Sequence, residues 1–213
     1  MKKDSFYSAL DEYLKGLESE FIEIPQERIE VLHQLGDYVS STLKEEGKAR
    51  LVFICTHNSR RSQFGQVWAL TAAQYFGIPK IETFSGGTGS TAFNPRAVDA
   101  LIRAGYQVER QEGNRDNPRY IISSGENFQG NLMFSKEYND KTNPDKGFCA
   151  IMVCSDADET CPFIPGAEKR ISMPFDDPKA FDNTDQEKAK YDERCRQIAR
   201  EMFFTFKYVK TRI

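Results

Sequence analysis

Apolar positions at the start of the chain recur at helical spacing: Phe6, Leu10, Leu14, Leu17 and Phe21, then Ile29, Leu32, Leu35, Val39 and Leu43 after the Ile24-Pro25 break. The pattern predicts two helices between residue 4 and about residue 46. Pro25 suits a first helical position, where its missing N–H is not needed. Such a stripe must be buried. The hairpin is therefore expected to pack on the rest of the chain or on a second copy, as a homodimer contact through the N-terminal helices.

From Ala49 the period changes. Arg50-Leu51-Val52-Phe53-Ile54-Cys55 is a short apolar run of the kind a buried parallel strand shows. After a polar loop, Gln63 to Phe76 has a helical stripe, and Ile81 to Ser85 is a second strand candidate ending in Gly86-Gly87-Thr88-Gly89. Asn94-Pro95 opens a helix that runs through Ala104 and stops at Gly105. Phe148 to Cys154 is a third apolar run, Lys169 to Met173 a fourth, and Asp185 to Lys207 a closing amphipathic helix. Strands alternating with helices predict an α/β fold: an open four-stranded parallel sheet with helices on both faces. One stretch breaks the alternation. Between residues 110 and 147 the chain is rich in Asn, Gly, Ser, Asp and Pro, interrupted by Tyr120-Ile121-Ile122 and Leu132-Met133-Phe134. A structureless loop of that length is unusual, so an inserted β-hairpin with mobile flanks is expected. The division is then a helical extension at 1–47 and an α/β unit at 48–213, the latter carrying the 110–147 insertion.

Composition narrows the function classes. With 213 residues, 39% hydrophobic, 16 Phe and 9 Tyr, the chain can bury a core and is not a disordered protein. Lys and Arg number 29 against 32 Asp and Glu, so no global basic field draws it to nucleic acid or an anionic membrane. No apolar run approaches the roughly 20 residues needed to span a bilayer. Met1-Lys2-Lys3-Asp4 leads into a mixed polar segment with no apolar signal region. Five cysteines at uneven spacings suggest cytoplasmic thiol chemistry rather than a secreted disulfide framework.

Three segments carry candidate chemistry. The first is Cys55-Thr56-His57-Asn58-Ser59-Arg60-Arg61-Ser62, a cysteine at a strand end followed by a loop that feeds a helix. Such a loop can turn successive N–H groups inward to form an anion-binding nest beside a helix N-terminus. Thr56, His57, Asn58, Ser59, Arg60, Arg61 and Ser62 are the candidate oxyanion-binding residues. Arg61 can grip two oxygens in a fork, the positive field favours the Cys55 thiolate, and Ser62 can donate to the sulfur. Asn58 tolerates a left-handed turn. The bland alternative is a buried cysteine with two surface arginines. Cys149 and Cys195 read as core residues of a strand and of the closing helix.

The second segment is Cys154-Ser155-Asp156-Ala157-Asp158-Glu159-Thr160-Cys161-Pro162. Strand ends on one edge of a parallel sheet converge, so Cys154 is expected near Cys55. If 154–161 is helical, the two sulfurs share a face about 10 Å apart along the axis. A disulfide tolerates about 7 Å between Cα atoms, so pairing them requires unwinding. No second Cys or His pair at zinc spacing supports a metal site. The third segment, Phe175-Asp176-Asp177-Pro178, holds an acid fixed before proline, a candidate proton donor or an ordinary turn.

Together the three segments resemble the low-molecular-weight protein tyrosine phosphatase superfamily, and more closely its thioredoxin-coupled arsenate reductases. The resemblance covers roughly residues 49 to 212, less the insertion. It implies catalytic roles for Cys55, Arg61 and Asp177, with Ser62 assisting, and no organic cofactor. Read as a reductase, Cys55 attacks arsenic, Cys154 attacks Cys55, and Cys161 attacks Cys154, leaving a disulfide for thioredoxin to reduce. Read as a phosphatase, Cys55 attacks a phosphate monoester and Asp177 protonates the leaving group. A redox sensor or oxyanion-binding regulator is the non-catalytic alternative. The chain departs from the family's pattern at three positions. His57 stands where the family usually has Gly, Arg60 where it often has a second Cys, and Gln66 where it can have a Glu that helps hold potassium. The resemblance implies any such potassium site near Asn58 and Ser85. Family phosphatases usually place Tyr after Asp-Pro; here the position is Lys179.

Overall fold

A computed structural model describes residues 5–160 and 163–213. In chain order the elements are α1 (Ser8–Lys15), a 3-10 helix (Leu17–Glu23), α2 (Gln26–Glu46), β1 (Ala49–Cys55), α3 (Arg61–Tyr75) and β2 (Ile81–Gly87). Then follow α4 (Pro95–Arg103), β3 (Gln107–Arg110), β4 (Tyr120–Ser123), β5 (Asn131–Met133), β6 (Phe148–Met152) and α5 (Ser155–Thr160). The chain continues through β7 (Ala167–Ser172), a second 3-10 helix (Pro178–Phe181) and α6 (Glu187–Lys210).

The main sheet has the order β2-β1-β6-β7 with every pairing parallel, an α/β fold as the alternation predicts. Leu51, Val52, Phe53 and Ile54 are fully buried, which is why β1 reads as a continuous rather than an alternating apolar run. α3 packs across β1 and β2, α2 across β1 and β7, and α6 spans α2, α3 and α4. Gly65 lets α3 close on the sheet, since a Cβ there would sit 2.4 Å from the Phe53 ring. The carboxyl ends of β1 and β2 finish side by side, with Cys55 opposite Gly87. Val153 N–H extends the β6 pairing by donating to the Ile54 carbonyl at 2.8 Å. This edge is where a parallel sheet presents its ligand crevice. Asn94 caps α4 through its side chain at Arg96 N–H, with Pro95 at the first turn.

The N-terminal segment differs from two plain helices. α1 stops at Lys15, and Gly16 passes the chain into the 3-10 helix. Glycine is a poor helix residue, and Ser19 Oγ donates to the Gly16 carbonyl at 2.8 Å, a local bond that competes with helical continuation. Leu10, Leu14, Leu17, Leu32, Leu35 and Val39 are buried in the same core as the sheet. The 3-10 helix and α2 pack on α6, so this chain covers its own stripe.

Within the insertion β4 and β5 pair as the expected antiparallel hairpin, and β3, from just before it, joins β4 to make a three-stranded sheet, β3-β4-β5. Tyr120-Ile121-Ile122 and Leu132-Met133 form strands as expected. The extra strand, β3, starts before the polar stretch and is largely exposed, so it has no apolar alternation to betray it. Beyond β5 the chain returns to the main sheet. Gly87 N–H donates to the Lys136 carbonyl at 2.9 Å, and Tyr138 N–H donates to the Gly87 carbonyl at 3.0 Å. Among the described residues no helix is long and apolar enough to cross a membrane.

Candidate active site

Residues 56–60 form the loop between β1 and α3. Its tightest point is Asn58, left-handed at φ 46° and fully buried. His57 is not among the positive-φ residues, so a side chain at the family's usual glycine position brings no backbone strain here. His57 is exposed and borders the cleft. Among the described residues, the backbone N–H groups of His57, Asn58, Ser59 and Arg60 have no protein acceptor. Four such donors beside the start of α3 make an anion cradle. The loop carbonyls are turned the other way: Thr88 N–H donates to Cys55 O, Gly89 N–H to Thr56 O and Ser135 Oγ to His57 O, at 2.9 to 3.1 Å. Gly87 must lack a Cβ, because one would lie 2.2 Å from Gly89 O and 2.8 Å from Asn58 N.

The cysteine is prepared by its own loop. Asn58 Nδ2 donates to Ser62 Oγ at 2.8 Å, which leaves the hydroxyl proton free to point at Cys55 Sγ, 3.1 Å away. Asn58 is itself fixed: its Oδ1 accepts from Lys136 N–H at 2.9 Å and from Gln63 Nε2 at 3.2 Å.

Arg61 opens α3 and donates to the Phe175 carbonyl and to Asp177 Oδ2, both at 2.8 Å. Asp177 is further held by Lys179 N–H at 3.0 Å, as the cap of the second 3-10 helix. Asp176, by contrast, points outward; its carboxylate is 94% exposed and paired with Arg194. The assignment within the Asp-Asp pair is thus geometric: Asp177 lines the cleft with Cys55, Thr56, His57, Ser59 and both loop arginines.

Cys154 joins the same edge. It is buried at the start of α5, and its Sγ lies 3.4 Å from Thr56 Oγ1, on the residue next to Cys55. α5 is helical through Thr160, and Asp158 within it is tied to Arg170 and Ser172 of β7. Cys161 and Pro162 lie outside the described residues. Cys149 and Cys195 are enclosed in the core, and burial pushes the Cys195 thiol up to about 12 and that of Cys149 higher still. Neither is near the cleft lining.

The cation position does not fit potassium. Asn58 Oδ1 already receives two N–H donors, Ser85 Oγ donates toward Gln63 Oε1 at 3.5 Å, and Ser85 O accepts from Asn143. Gln66 supplies only an amide oxygen, buried and unpartnered among the described residues. Protein N–H groups already occupy Asn58 Oδ1 and Ser85 O, two of the oxygens a cation there would need.

Sequence reasoning missed Ser135, Lys136 and Tyr191, and gave Gln63, the last residue of the loop motif, no role. Gln63 ties Asn58 to the Phe134 carbonyl, and Arg60 Nε donates to the Tyr191 hydroxyl at 2.9 Å. Tyr191 gives no signal in the sequence beyond its place on an apolar helical stripe. Ser135 and Lys136 lie in a polar insertion with no motif.

No family profile matches the chain. The arsenate reductase of Bacillus subtilis is 30% identical over 146 residues, spanning 68% of this chain and 86% of that protein. The arsenate reductase of Bacillus licheniformis is 29% identical over 149 residues, 70% and 88% of the two chains. The solution structure of a low molecular weight protein tyrosine phosphatase from Bacillus subtilis shares the fold, with TM-score 0.50, 14% identity, and 76% and 97% of the two chains covered. On the sequence likeness, with a fold shared with a low molecular weight protein tyrosine phosphatase, the chain belongs to the family of the arsenate reductases.

Proposed function

We propose that the protein reduces arsenate through a relay of three thiols, Cys55, Cys154 and Cys161, recycled by thioredoxin. Cys55 attacks arsenic in the cradle of loop N–H groups, with Arg61 neutralising the oxyanion and Asp177 protonating the departing oxygen. Cys154 then attacks the Cys55 sulfur. The sulfur–arsenic electron pair stays on arsenic, which leaves as arsenite, and a Cys55–Cys154 disulfide remains. Cys161 attacks Cys154, frees Cys55, and leaves a disulfide for thioredoxin to open.

The observation that carries this reading is the Thr56 Oγ1 to Cys154 Sγ contact at 3.4 Å. It sets a second thiol beside the nucleophile's loop, where ester hydrolysis has no use for one. The phosphatase reading draws on the same Cys55, Arg61 and Asp177. Lys179 after Asp-Pro, in place of an aromatic that would stack on a phenolic leaving group, favours the reductase. Turnover of arsenate with thioredoxin and its reductase, set against turnover of para-nitrophenyl phosphate, separates the two.

The mutants should fail in order. Cys154→Ser should stop arsenite release at the Cys55 adduct. Cys161→Ser should release one equivalent of arsenite and then trap a Cys55–Cys154 disulfide, read by peptide mapping without reductant. Full multiple turnover by Cys161→Ser with thioredoxin would sink the relay. Asp177→Asn should slow turnover by about 10²-fold while leaving the half-saturating oxyanion concentration within a few-fold, since the acid serves the leaving group.

A further inference from the structure

A second arginine borders the cleft, and its setting is unlike that of Arg61. Arg60 is the residue just before α3, and its side chain is only 11% exposed. Arg61 spends its terminal nitrogens on Phe175 O and Asp177. Arg60 instead uses Nε, donating to the hydroxyl of Tyr191 at 2.9 Å. That hydroxyl donates in turn to Asp182 Oδ1 at 2.8 Å. The tyrosine ring is fully buried in α6, so it is a fixed post. A hydroxyl that gives its proton to a carboxylate is a better acceptor, and the guanidinium plane is held by Nε alone. Both terminal nitrogens of Arg60 remain: among the described residues neither makes a hydrogen bond to protein, and the nearest acid, Asp177 Oδ2, is 3.7 Å from one of them.

The cleft therefore holds two guanidinium groups against one carboxylate, with the cradle of loop N–H donors below. Once Asp177 carries the proton it is to deliver, the two guanidinium groups still outweigh a Cys55 thiolate and leave net positive charge at the mouth. Such a site discriminates by charge as well as by shape, because low-dielectric walls strengthen the interaction of a fixed cation with a second negative charge.

We propose that Arg60, seated by Tyr191 and Asp182, is a second anion-binding arm of the cleft, and that the site takes doubly ionised tetrahedral oxyanions in preference to singly ionised ones. The inference deepens the reading of the loop as an oxyanion site. Tyr191 is on this account a positioning residue that acts only through Arg60.

The test is anion protection of Cys55 against iodoacetamide, which needs no turnover. Phosphate serves as the doubly charged probe and perchlorate as a singly charged one of the same shape, at constant ionic strength near pH 8. Each variant is normalised to its own rate without anion. Arg60→Met keeps most of the apolar stem and should raise the half-protecting phosphate concentration about tenfold, as expected for one charge-assisted hydrogen bond, with little change for perchlorate. Tyr191→Phe keeps the ring and should cost about threefold for phosphate. The double variant should be no weaker than Arg60→Met, and Arg60→Lys, which keeps the charge without Nε, should be insensitive to Tyr191→Phe. Equal phosphate protection in wild type and Arg60→Met would overturn the second arm. Additive losses would overturn the role given to Tyr191. Absence of any phosphate protection in the wild type would instead overturn the oxyanion loop itself, and this inference with it.

Discussion

Replacing Arg61 with lysine should collapse arsenate turnover by about 10²- to 10³-fold, the cost of removing a preorganised oxyanion donor. Charge is conserved in that change; geometry is not. Arg61 reaches a carbonyl and a carboxylate at 2.8 Å, one from each terminal nitrogen, so both arms of the fork are in use at the cleft. Lysine offers one compact ammonium and cannot span both. On the proposed mechanism the fork would exchange Asp177 for the anion, releasing the acid just when it is needed. Lysine would lose this coupling too. The comparison is kcat/KM for arsenate, with a thermal melt on the same preparation. A loss of under fivefold with an unchanged melt would show that the positive charge alone suffices.

The largest stability effect is expected from Arg28→Met, at about 3 kcal/mol or more. Arg28 Nε donates to Glu201 Oε2 at 2.7 Å, and the Glu201 side chain is 2% exposed. Among the described residues its other oxygen accepts only from Gln197 Nε2, at 3.0 Å. Removing the guanidinium leaves a buried carboxylate short of a counter-charge, and that penalty exceeds what the pair itself contributes. Arg28 also lies over the Phe175 ring, 4.5 Å from its centroid, two residues before Asp177. The urea midpoint of Arg28→Met should fall accordingly with little change in slope. Adding Glu201→Leu should recover much of the loss, because the stranded charge goes with it. A drop below about 1 kcal/mol in the single variant would show that water reaches Glu201 after all.

Much of this architecture was legible in the residues. Continuous apolar runs gave β1 and β6 because strands covered on both faces cannot alternate. Asn94-Pro95 and Gly105 marked the ends of α4 by local chemistry that needs no partner. The Cys55 loop was readable for a similar reason: its function depends on backbone direction between a strand and a helix, and both are local. What escaped was held by tertiary contact. β3 is exposed and short, so only its pairing with β4 makes it a strand. Ser135 and Lys136 reach the loop from nearly eighty positions downstream through a hydroxyl and a backbone N–H, features every serine and every lysine has. Tyr191 resembles any apolar position on α6 until Arg60 is seen at its hydroxyl.

The order of synthesis gives α6 a second importance. Glu18, Glu20, Glu23, Arg28 and Asp37 each find a polar partner on α6, at sequence separations of 171 to 189 residues. During translation the 3-10 helix and α2 emerge long before α6, and the side of their apolar stripe that packs on α6 has no cover until that helix is made. At about 5 to 20 residues per second, that leaves them waiting for roughly ten seconds or more. Nascent chains halted before α6 should accordingly bind holding chaperones and be cut readily near Gly16. Chains with α6 released should resist both, closing late and in one step.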